Sequence, residues 1–440
     1  MHKIKVRDLL CCGVCRLAGR PEFVEKLIVT GGTPLQGEIR IQGSKNAVLP
    51  ILAACLLGEG PCEIENCPKI KDVEDTVHIL RELGCQVERS GKTVRIDAEM
   101  AAGYEIIGGE AARIRSSVLF LGALLGKMKK AVLPKPGGCA IGKRPIDLHL
   151  AALERLGAVF SCEEEAITAE GSGLHCGTIR LGLPSVGATE NSILAAVLLP
   201  GETRIEHAAQ EPEIDELIRF LNLRGGNLQR VGDAIVIEGG RRLHPVRFQI
   251  ASDRIVAGTY LFAAAAAGGE LHLQNYAVDD TLARVLLQMG GACWLDHLGG
   301  MYFQMKHRPG AIPKIRTAPY PGFPTDLQSP LMAVCARASG QSRIWETVFE
   351  SRFRTAWELQ KMGAEISVQG NLATIEGKER LHAATLRAPD LRGGAALVVA
   401  ALFADGISEI SGLEYISRGY EDIGADLRLL GARIYRHERR

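Results

Sequence analysis

A short signature recurs six times along this chain: the end of a helix, then Gly, a small residue and an apolar one. It reads Leu83-Gly84-Cys85, Leu156-Gly157-Ala158, Arg224-Gly225-Gly226, Met289-Gly290-Gly291, Met362-Gly363-Ala364 and Leu430-Gly431-Ala432. The glycines stand 73, 68, 65, 73 and 68 residues apart. Self-similarity at so steady a period means one supersecondary unit used repeatedly, and a period this long leaves room for several elements in each copy.

Each glycine has the same surroundings. An amphipathic helix runs up to it, as in Val73–Leu83, Ile146–Leu156 and Glu358–Met362 with the turn before it. Gly best takes the left-handed stop that such a helix needs. Two short alternating segments follow, Gln86–Arg89 then Thr93–Asp97 in one copy and Glu365–Val368 then Ala373–Glu376 in another, which reads as a strand pair. Upstream lies a second helix rich in small residues: Asn46–Leu57, Ser116–Leu125, Asn191–Leu199, Ile255–Ala266, Leu327–Ala338 and Ala395–Ala404. These are apolar nearly all round, the pattern of a helix buried on every side. With a strand and a loop between the two helices, the unit reads β-α-β-α-β-β.

At 440 residues the chain exceeds the roughly 250–300 residues that one hydrophobic core supports, so two domains are expected. Residues 45–250 hold the first three units and 251–440 the last three. The strands predicted at Leu27–Val29 and Glu38–Gln42 look like strand material missing from the sixth unit, so residues 25–44 join the second domain. The chain then crosses between domains twice, and the site lies in the cleft between them. The fold class is α/β, two domains of three repeats each.

The formal charge is +1, from 52 Lys and Arg against 51 Asp and Glu, which gives no global pull toward nucleic acid or anionic lipid. The longest apolar runs, Ala47–Leu57 and Ala395–Ala404, fall short of the roughly 20 residues of a membrane helix. Any anion site must therefore gather its cations locally, and the start of each Ala-rich helix shows how. Those starts read Ser44-Lys45-Asn46, Arg115-Ser116-Ser117, Ala188-Thr189-Glu190-Asn191, Asp253-Arg254, Thr325-Asp326 and Asp390-Leu391-Arg392. Helix N-termini carry partial positive charge and free N–H groups. Helix capping explains Ser44, Thr325 and the Asp residues, but Lys45, Arg115, Arg254 and Arg392 are misplaced there unless an anion accompanies them. Loops between strand and helix add Arg144, Arg352 and Arg418, and the guanidinium fork suits phosphate and carboxylate alike.

The twelve cysteines follow no framework spacing, and Cys55 and Cys335 sit in apolar helical runs, which reads as a reducing cytoplasmic compartment. Cys12-x-x-Cys15 has no second pair beside it and reads as two incidental thiols. Cys139 differs: it sits in a glycine-rich loop beside Lys135, Lys143 and Arg144, neighbours that favour the reactive thiolate. No metal-ligand spacing stands near it, so neither metal nor cofactor is expected.

From about Glu25 to Arg436 the chain resembles the enolpyruvyl transferases. The matching runs include Gly43-Ser44-Lys45-Asn46-Ala47, Pro136-Gly137-Gly138-Cys139-Ala140-Ile141-Gly142 and Arg144-Pro145-Ile146-Asp147-Leu148-His149. Others are Ser185-Val186-Gly187-Ala188-Thr189, Glu211-Pro212-Glu213-Ile214, Phe323-Pro324-Thr325-Asp326, Glu346-Thr347-Val348-Phe349-Glu350, Asp390-Leu391-Arg392 and Arg418-Gly419-Tyr420-Glu421. The Cys139 loop points to the branch whose acceptor is UDP-N-acetylglucosamine, because the shikimate-using relatives lack it.

The resemblance implies that each domain is an inside-out α/β barrel of three units, a six-fold internal repeat in all. It implies transfer of enolpyruvyl from phosphoenolpyruvate to the sugar 3′-hydroxyl. Lys45, Arg144 and Arg418 would hold phosphoenolpyruvate and the departing phosphate. Asn46, Arg115 and Asp326 would position the sugar nucleotide, with Asp326 as general base. Arg144, Pro145, Ile146, Asp147 and Leu148 would line the nucleotide site with Ser185, Val186, Gly187 and Val348. Arg352, Asp390 and Arg392 would close the cleft, and Cys139 would be the proton donor and the target of fosfomycin. The chain departs from the family pattern at Leu183 (usually Lys), Val256 (usually Glu) and Ser417 (usually Asp). Residues 1–24 form an extension without family counterpart, and the expected start is Val24. Two alternatives stand beside this reading: a paralogue with another acceptor such as shikimate 3-phosphate, and a non-catalytic sugar-nucleotide sensor. Oligomeric state is left open.

Overall fold

A computed structural model describes residues 25–438 except 108, 110–114, 136–145, 163–164 and 277–278. Cys139, Arg144 and Pro145 lie outside the described residues. The six signature glycines all adopt left-handed φ, between 84° and 102°, each at the end of its helix. A side chain at that φ is strained, which is why Gly marks every copy.

The described strands form six sheets, five of four strands and one of three. All share one order. An edge strand runs parallel to its neighbour, which pairs antiparallel with a third, which pairs antiparallel with the far edge. In the first unit these are Val246–Gln249, Pro61–Glu65, Thr93–Asp97 and Gln86–Ser90. In the three-stranded sheet, Glu105 bridges Val132 in parallel where the others carry their edge strand. The Ala-rich helices lie inside: Lys45–Cys55, Leu119–Met128, Val186–Ala196, Arg254–Ala267, Gln328–Cys335 and Leu391–Ala401 are buried along almost their whole length. They fill two separate cores. One is built from Ala47 to Ile250, the other from Leu27 to Ile41 together with Ile255 to Ile434.

Three expectations need correction. The second N-terminal strand is Leu35–Ile39, not Glu38–Gln42, and it pairs parallel with Gly269–Leu273 of the fourth unit. Only Glu25–Thr30 completes the sixth, between Ile407–Ser411 and Arg433–Glu438. Its place explains the shift: residues 40–44 lie beside residues 250–253 and have no sheet to join. The third and sixth Ala-rich helices begin at Val186 and Leu391, well before Asn191 and Ala395, because Ser185 and Asp390 cap them. Gly187, Gly393 and Gly394 mask the helical pattern there.

The chain crosses between the two cores at two adjacent segments. Ser44 N donates to Ala251 O at 2.8 Å, and Asp253 N donates to Gln42 O at 2.9 Å. Gly43 and Ser252 face each other between these bonds, and a Cβ on Gly43 would lie 1.8 Å from Asn66 O. Gly is therefore required at this crossing. Among the described residues no helix is long and apolar enough to cross a membrane.

Candidate active site

Two helix starts and two loops place Lys45, Arg392, Arg352 and Arg418 around two carboxylates. Ser44 caps the helix Lys45–Cys55, its Oγ accepting from Ala47 N at 3.3 Å. That cap sets Lys45 at the helix start, where its backbone N–H donates to Asp253 Oδ2 at 2.9 Å. Lys45 Nζ reaches Asp72 Oδ2 at 2.9 Å. Arg418 meets the same carboxylate, Nε to Oδ1 at 2.8 Å and Nη2 to Oδ2 at 3.3 Å. Burial would raise the Asp72 carboxyl, but Lys45 and Arg418 outweigh it and hold it below its usual value.

Asp326 is the second centre. Arg352 Nη2 donates to its Oδ1, and Arg392 donates to its Oδ2 through Nε at 3.2 Å and Nη2 at 3.0 Å. Burial opposes the charge, yet Arg392, Arg352 and Lys45 together hold this carboxyl far below the carboxylate range. Because Lys45 acts on both carboxylates, the two centres form one electrostatic unit. Asp326 keeps 27% of its side-chain surface open, whereas Arg352 and Arg392 keep 3% each. The carboxylate is thus the accessible member of the group.

Two atoms beside this unit lack a good hydrogen bond. Asp390 Oδ1 caps the helix Leu391–Ala401 through Arg392 N and Gly393 N at 3.0 and 2.9 Å, but its buried Oδ2 has no hydrogen bond. Arg392 Nη1 is likewise buried and has no hydrogen bond of good geometry, although the guanidinium stands beside Tyr420. Such atoms carry a desolvation cost that a polar ligand relieves. Arg392 also lies over the Tyr420 ring at 5.7 Å, and Tyr420 Oη shares a 2.8 Å hydrogen bond with Thr259 Oγ1.

A second group forms around a side chain that the sequence reading placed in a helix but gave no role. Buried Asn191 donates to Val118 O at 3.0 Å, accepts from Gly122 N at 2.7 Å and meets His149 Nδ1 at 2.7 Å. It ties together the segment that opens with Arg115, the segment Ile146–Leu148 and the helix start Val186–Gly187. Ser185 caps that last helix, its Oγ accepting from Ala188 N at 3.4 Å. A Cβ on Gly187 would sit 2.6 Å from His149 Cε1, so only Gly permits the contact. Asn46 is half-buried, Asp147 exposed and Val348 38% exposed. The loop of Val348 is held by buried Glu346, whose Oε1 accepts from Val348 N at 2.8 Å and Phe349 N at 3.1 Å. Glu346 Oε2 also accepts from Thr325 Oγ1 at 2.8 Å, so Thr325 serves this bond rather than capping its own helix.

The architecture is shared with known structures. The chain matches the crystal structure of the enolpyruvyl transferase NikO from Streptomyces tendae with TM-score 0.85 and 24% identity, covering 95% of this chain and all of that one. EPSP synthase from Acinetobacter baumannii matches with TM-score 0.73 and 20% identity, covering 94% of this chain. The family model described as EPSP synthase (3-phosphoshikimate 1-carboxyvinyltransferase) matches residues 29–427. The chain belongs to the EPSP synthase family of enolpyruvyl transferases. Within it, UDP-N-acetylglucosamine 1-carboxyvinyltransferase 2 of Caldanaerobacter subterraneus subsp. tengcongensis is 44% identical over 414 residues, 93% of this chain and 99% of that protein. UDP-N-acetylglucosamine 1-carboxyvinyltransferase of Corynebacterium jeikeium is 41% identical, over 94% of this chain and all of that protein. Enolpyruvyl transferases of this family are thus α/β proteins of two domains, as this chain is.

Sequence reasoning missed Asp72. It lies on an outer amphipathic helix, Lys71–Glu82, where an acidic residue in the first turn reads as an ordinary favourable charge. Arg254, by contrast, awaits no anion. It pairs with Glu213 at 2.9 and 3.3 Å, the Glu of the Glu211-Pro212-Glu213 run. A separate cavity of about 480 Å³ is lined by Pro34, Gln304, Lys306 and Arg308 among others, and none of the candidate residues borders it. Its Arg308 guanidinium serves backbone carbonyls, donating to Arg337 O, Ala338 O and Gly377 O.

Proposed function

We propose that this enolpyruvyl transferase moves the enolpyruvyl group of phosphoenolpyruvate onto the 3′-hydroxyl of UDP-N-acetylglucosamine, the first committed step of peptidoglycan synthesis. The observation that carries the reading is the joint constellation of Lys45, Arg418, Arg352 and Arg392 around Asp72 and Asp326, since the chemistry needs fixed cations beside an ionised carboxylate. The relatives at 41–44% identity over nearly their full length supply the acceptor.

In this reading each domain is an inside-out barrel of three β-α-β-α-β-β units. One domain spans 45–250; the other joins 25–44 to 251–440. The common strand order of the six sheets and the two separate cores support that division. The buried thiols support a cytoplasmic setting: burial pushes Cys67 and Cys335 up to about 12 and Cys85 to about 11, the behaviour of inert packing groups.

Lys45 and Arg418 take the phosphate of phosphoenolpyruvate, with Arg144 as their third partner. Phosphate oxygens replace the Asp72 carboxylate on these cations. Asn46, Arg115 and Asp326 hold the sugar, while Ile146–Leu148, Ser185–Gly187 and Val348 line the nucleotide. The 3′-oxygen attacks C2 as Asp326 accepts its proton, and Cys139 donates a proton to C3. Arg352 and Arg392 keep Asp326 ionised but weakly basic in the free protein; once these guanidiniums are shared with the anionic substrates, its affinity for the hydroxyl proton rises. The Cys139 thiolate then takes a proton back from C3, the C2–O bond breaks, and phosphate leaves with the proton that Asp326 took from the hydroxyl, so the enolpyruvyl ether remains. General acid–base steps of this kind contribute roughly 10²–10⁴-fold each.

The test is phosphate release from phosphoenolpyruvate with UDP-N-acetylglucosamine, beside shikimate 3-phosphate and a Cys139→Ala variant. Release with the sugar nucleotide alone, lost in the variant, is the expected result. Release only with shikimate 3-phosphate, or with neither from folded protein, overturns the acceptor.

A further inference from the structure

The Arg418 loop is gripped by one buried side chain that the mechanism above does not use. Gln42 is 4% exposed and lies at the crossing between the cores, its own carbonyl accepting from Asp253 N at 2.9 Å. Its amide binds the loop with both ends. Nε2 donates to Gly419 O at 3.1 Å, and Oε1 accepts from Glu421 N at 2.9 Å. Glu421 then spans to the other core, accepting from Lys69 N at 2.8 Å and Lys92 Nζ at 2.7 Å. Lys71 N donates to Ser417 O at 2.9 Å. Residues 417, 419 and 421 are therefore each fixed from outside the loop, around Arg418 and Tyr420.

These two residues serve the two carboxylate centres separately. Arg418 reaches Asp72, while Tyr420 lies against Arg392, which holds Asp326. Lys45, the other cation on Asp72, lies only three residues beyond Gln42 across the crossing. One stiff stretch thus carries both an ammonium on Asp72 and the amide that sets the guanidinium on Asp72.

We propose that Gln42 is a positioning residue: it fixes the spacing between Lys45 and Arg418, and so the fit of the phosphate of phosphoenolpyruvate, with Glu421 as the strut that ties this setting to the opposite core. The inference rests on the phosphate role given to Lys45 and Arg418 above. The chemistry demands an amide, since Gly419 O needs a donor and Glu421 N an acceptor. A carboxylate at position 42 keeps the acceptor and loses the donor; an isosteric Leu loses both.

The experiment compares wild type, Gln42→Leu, Gln42→Glu and Glu421→Gln by steady-state kinetics in both substrates. Melting curves with increasing inorganic phosphate accompany it. Displacing Arg418 by a fraction of an ångström is expected to raise KM for phosphoenolpyruvate about tenfold or more in Gln42→Leu, and less in Gln42→Glu and Glu421→Gln. KM for the sugar nucleotide should rise by a clearly smaller factor, because the groups around Asn191 are untouched and Asp326 is reached only through Tyr420 and Arg392. The phosphate-induced rise in melting temperature should shrink in the same order. If both KM values move together, or neither moves in folded protein, the positioning role is wrong. Where Gln42→Leu does not fold, the two milder variants carry the comparison. If wild type turns over neither acceptor, the parent reading fails, and the phosphate melting series still decides the role of Gln42.

Discussion

Arg418 and Asp72 form a two-pronged ion pair between residues of the two cores, and Lys45 shares the same carboxylate. Breaking a buried pair by removing one partner strands the other charge, at a cost of about 3 kcal/mol. Asp72→Asn should therefore lower the melting temperature without ligand. It should also enlarge the stabilisation by inorganic phosphate, since phosphate no longer competes with a carboxylate. A phosphate shift no larger than that of wild type would show that these cations do not serve an anion.

Asp326 is held ionised by Arg352 and Arg392, so Asp326→Asn keeps the shape and removes the ionised oxygen. We expect kcat to fall roughly 10²–10⁴-fold while phosphate binding is retained. A variant with kcat within a factor of a few of wild type would remove Asp326 from the proton transfer.

Asn191 joins the segments of Arg115, His149 and Gly187. Asn191→Ala removes the side-chain partner of Gly122 N, Val118 O and His149 Nδ1, at about 1–3 kcal/mol. The kinetic effect should fall on KM for the sugar nucleotide, not on that for phosphoenolpyruvate. Equal effects on both would place the loss in global stability alone.

Glu190 is buried, and burial, with Glu213 and Glu211 nearby, raises its carboxyl well above the usual 4.5. The folded protein thus binds this proton more tightly than the unfolded chain does. Its contribution to stability is full below about 4.5 and is lost as pH rises toward the folded value. Glu190→Gln should flatten the decline of melting temperature with rising pH above that point, since each tenfold difference in proton affinity is worth about 1.4 kcal/mol. Parallel melting curves for both proteins between about pH 5 and 8 would contradict this.

The six helix stops were legible because a left-handed stop tolerates little besides Gly. Two of the cations gathered around Asp72 and Asp326 stood out for a similar reason: Lys45 and Arg392 stand where a helix start disfavours positive charge. Their counter-ions did not. Asp72 sits where acidic residues are common, and only tertiary packing turns it toward Lys45 and Arg418. Gln42 was read as the end of a strand, since nothing local distinguishes a hinge amide from a strand terminus. Asn191 was placed in an Ala-rich helix, where one polar residue says nothing about three partners. The strand Leu35–Ile39 was assigned to the wrong sheet because pairing partners lie far along the chain, and alternation alone does not name them.

The strand pairing also sets an order of assembly. Glu25–Thr30 is among the earliest segments to be synthesised, yet its partners are Ile407–Ser411 and Arg433–Glu438. Leu35–Ile39 likewise waits for Gly269–Leu273. The core from Ala47 to Ile250 is meanwhile complete in sequence and free to fold as a unit during translation. The half that carries Asp326, Arg392 and Arg418 closes only when the last strand arrives. Nascent chains released early would thus hold one finished core, without Asp326, Arg392 and Arg418 in place, and two strands left seeking an edge.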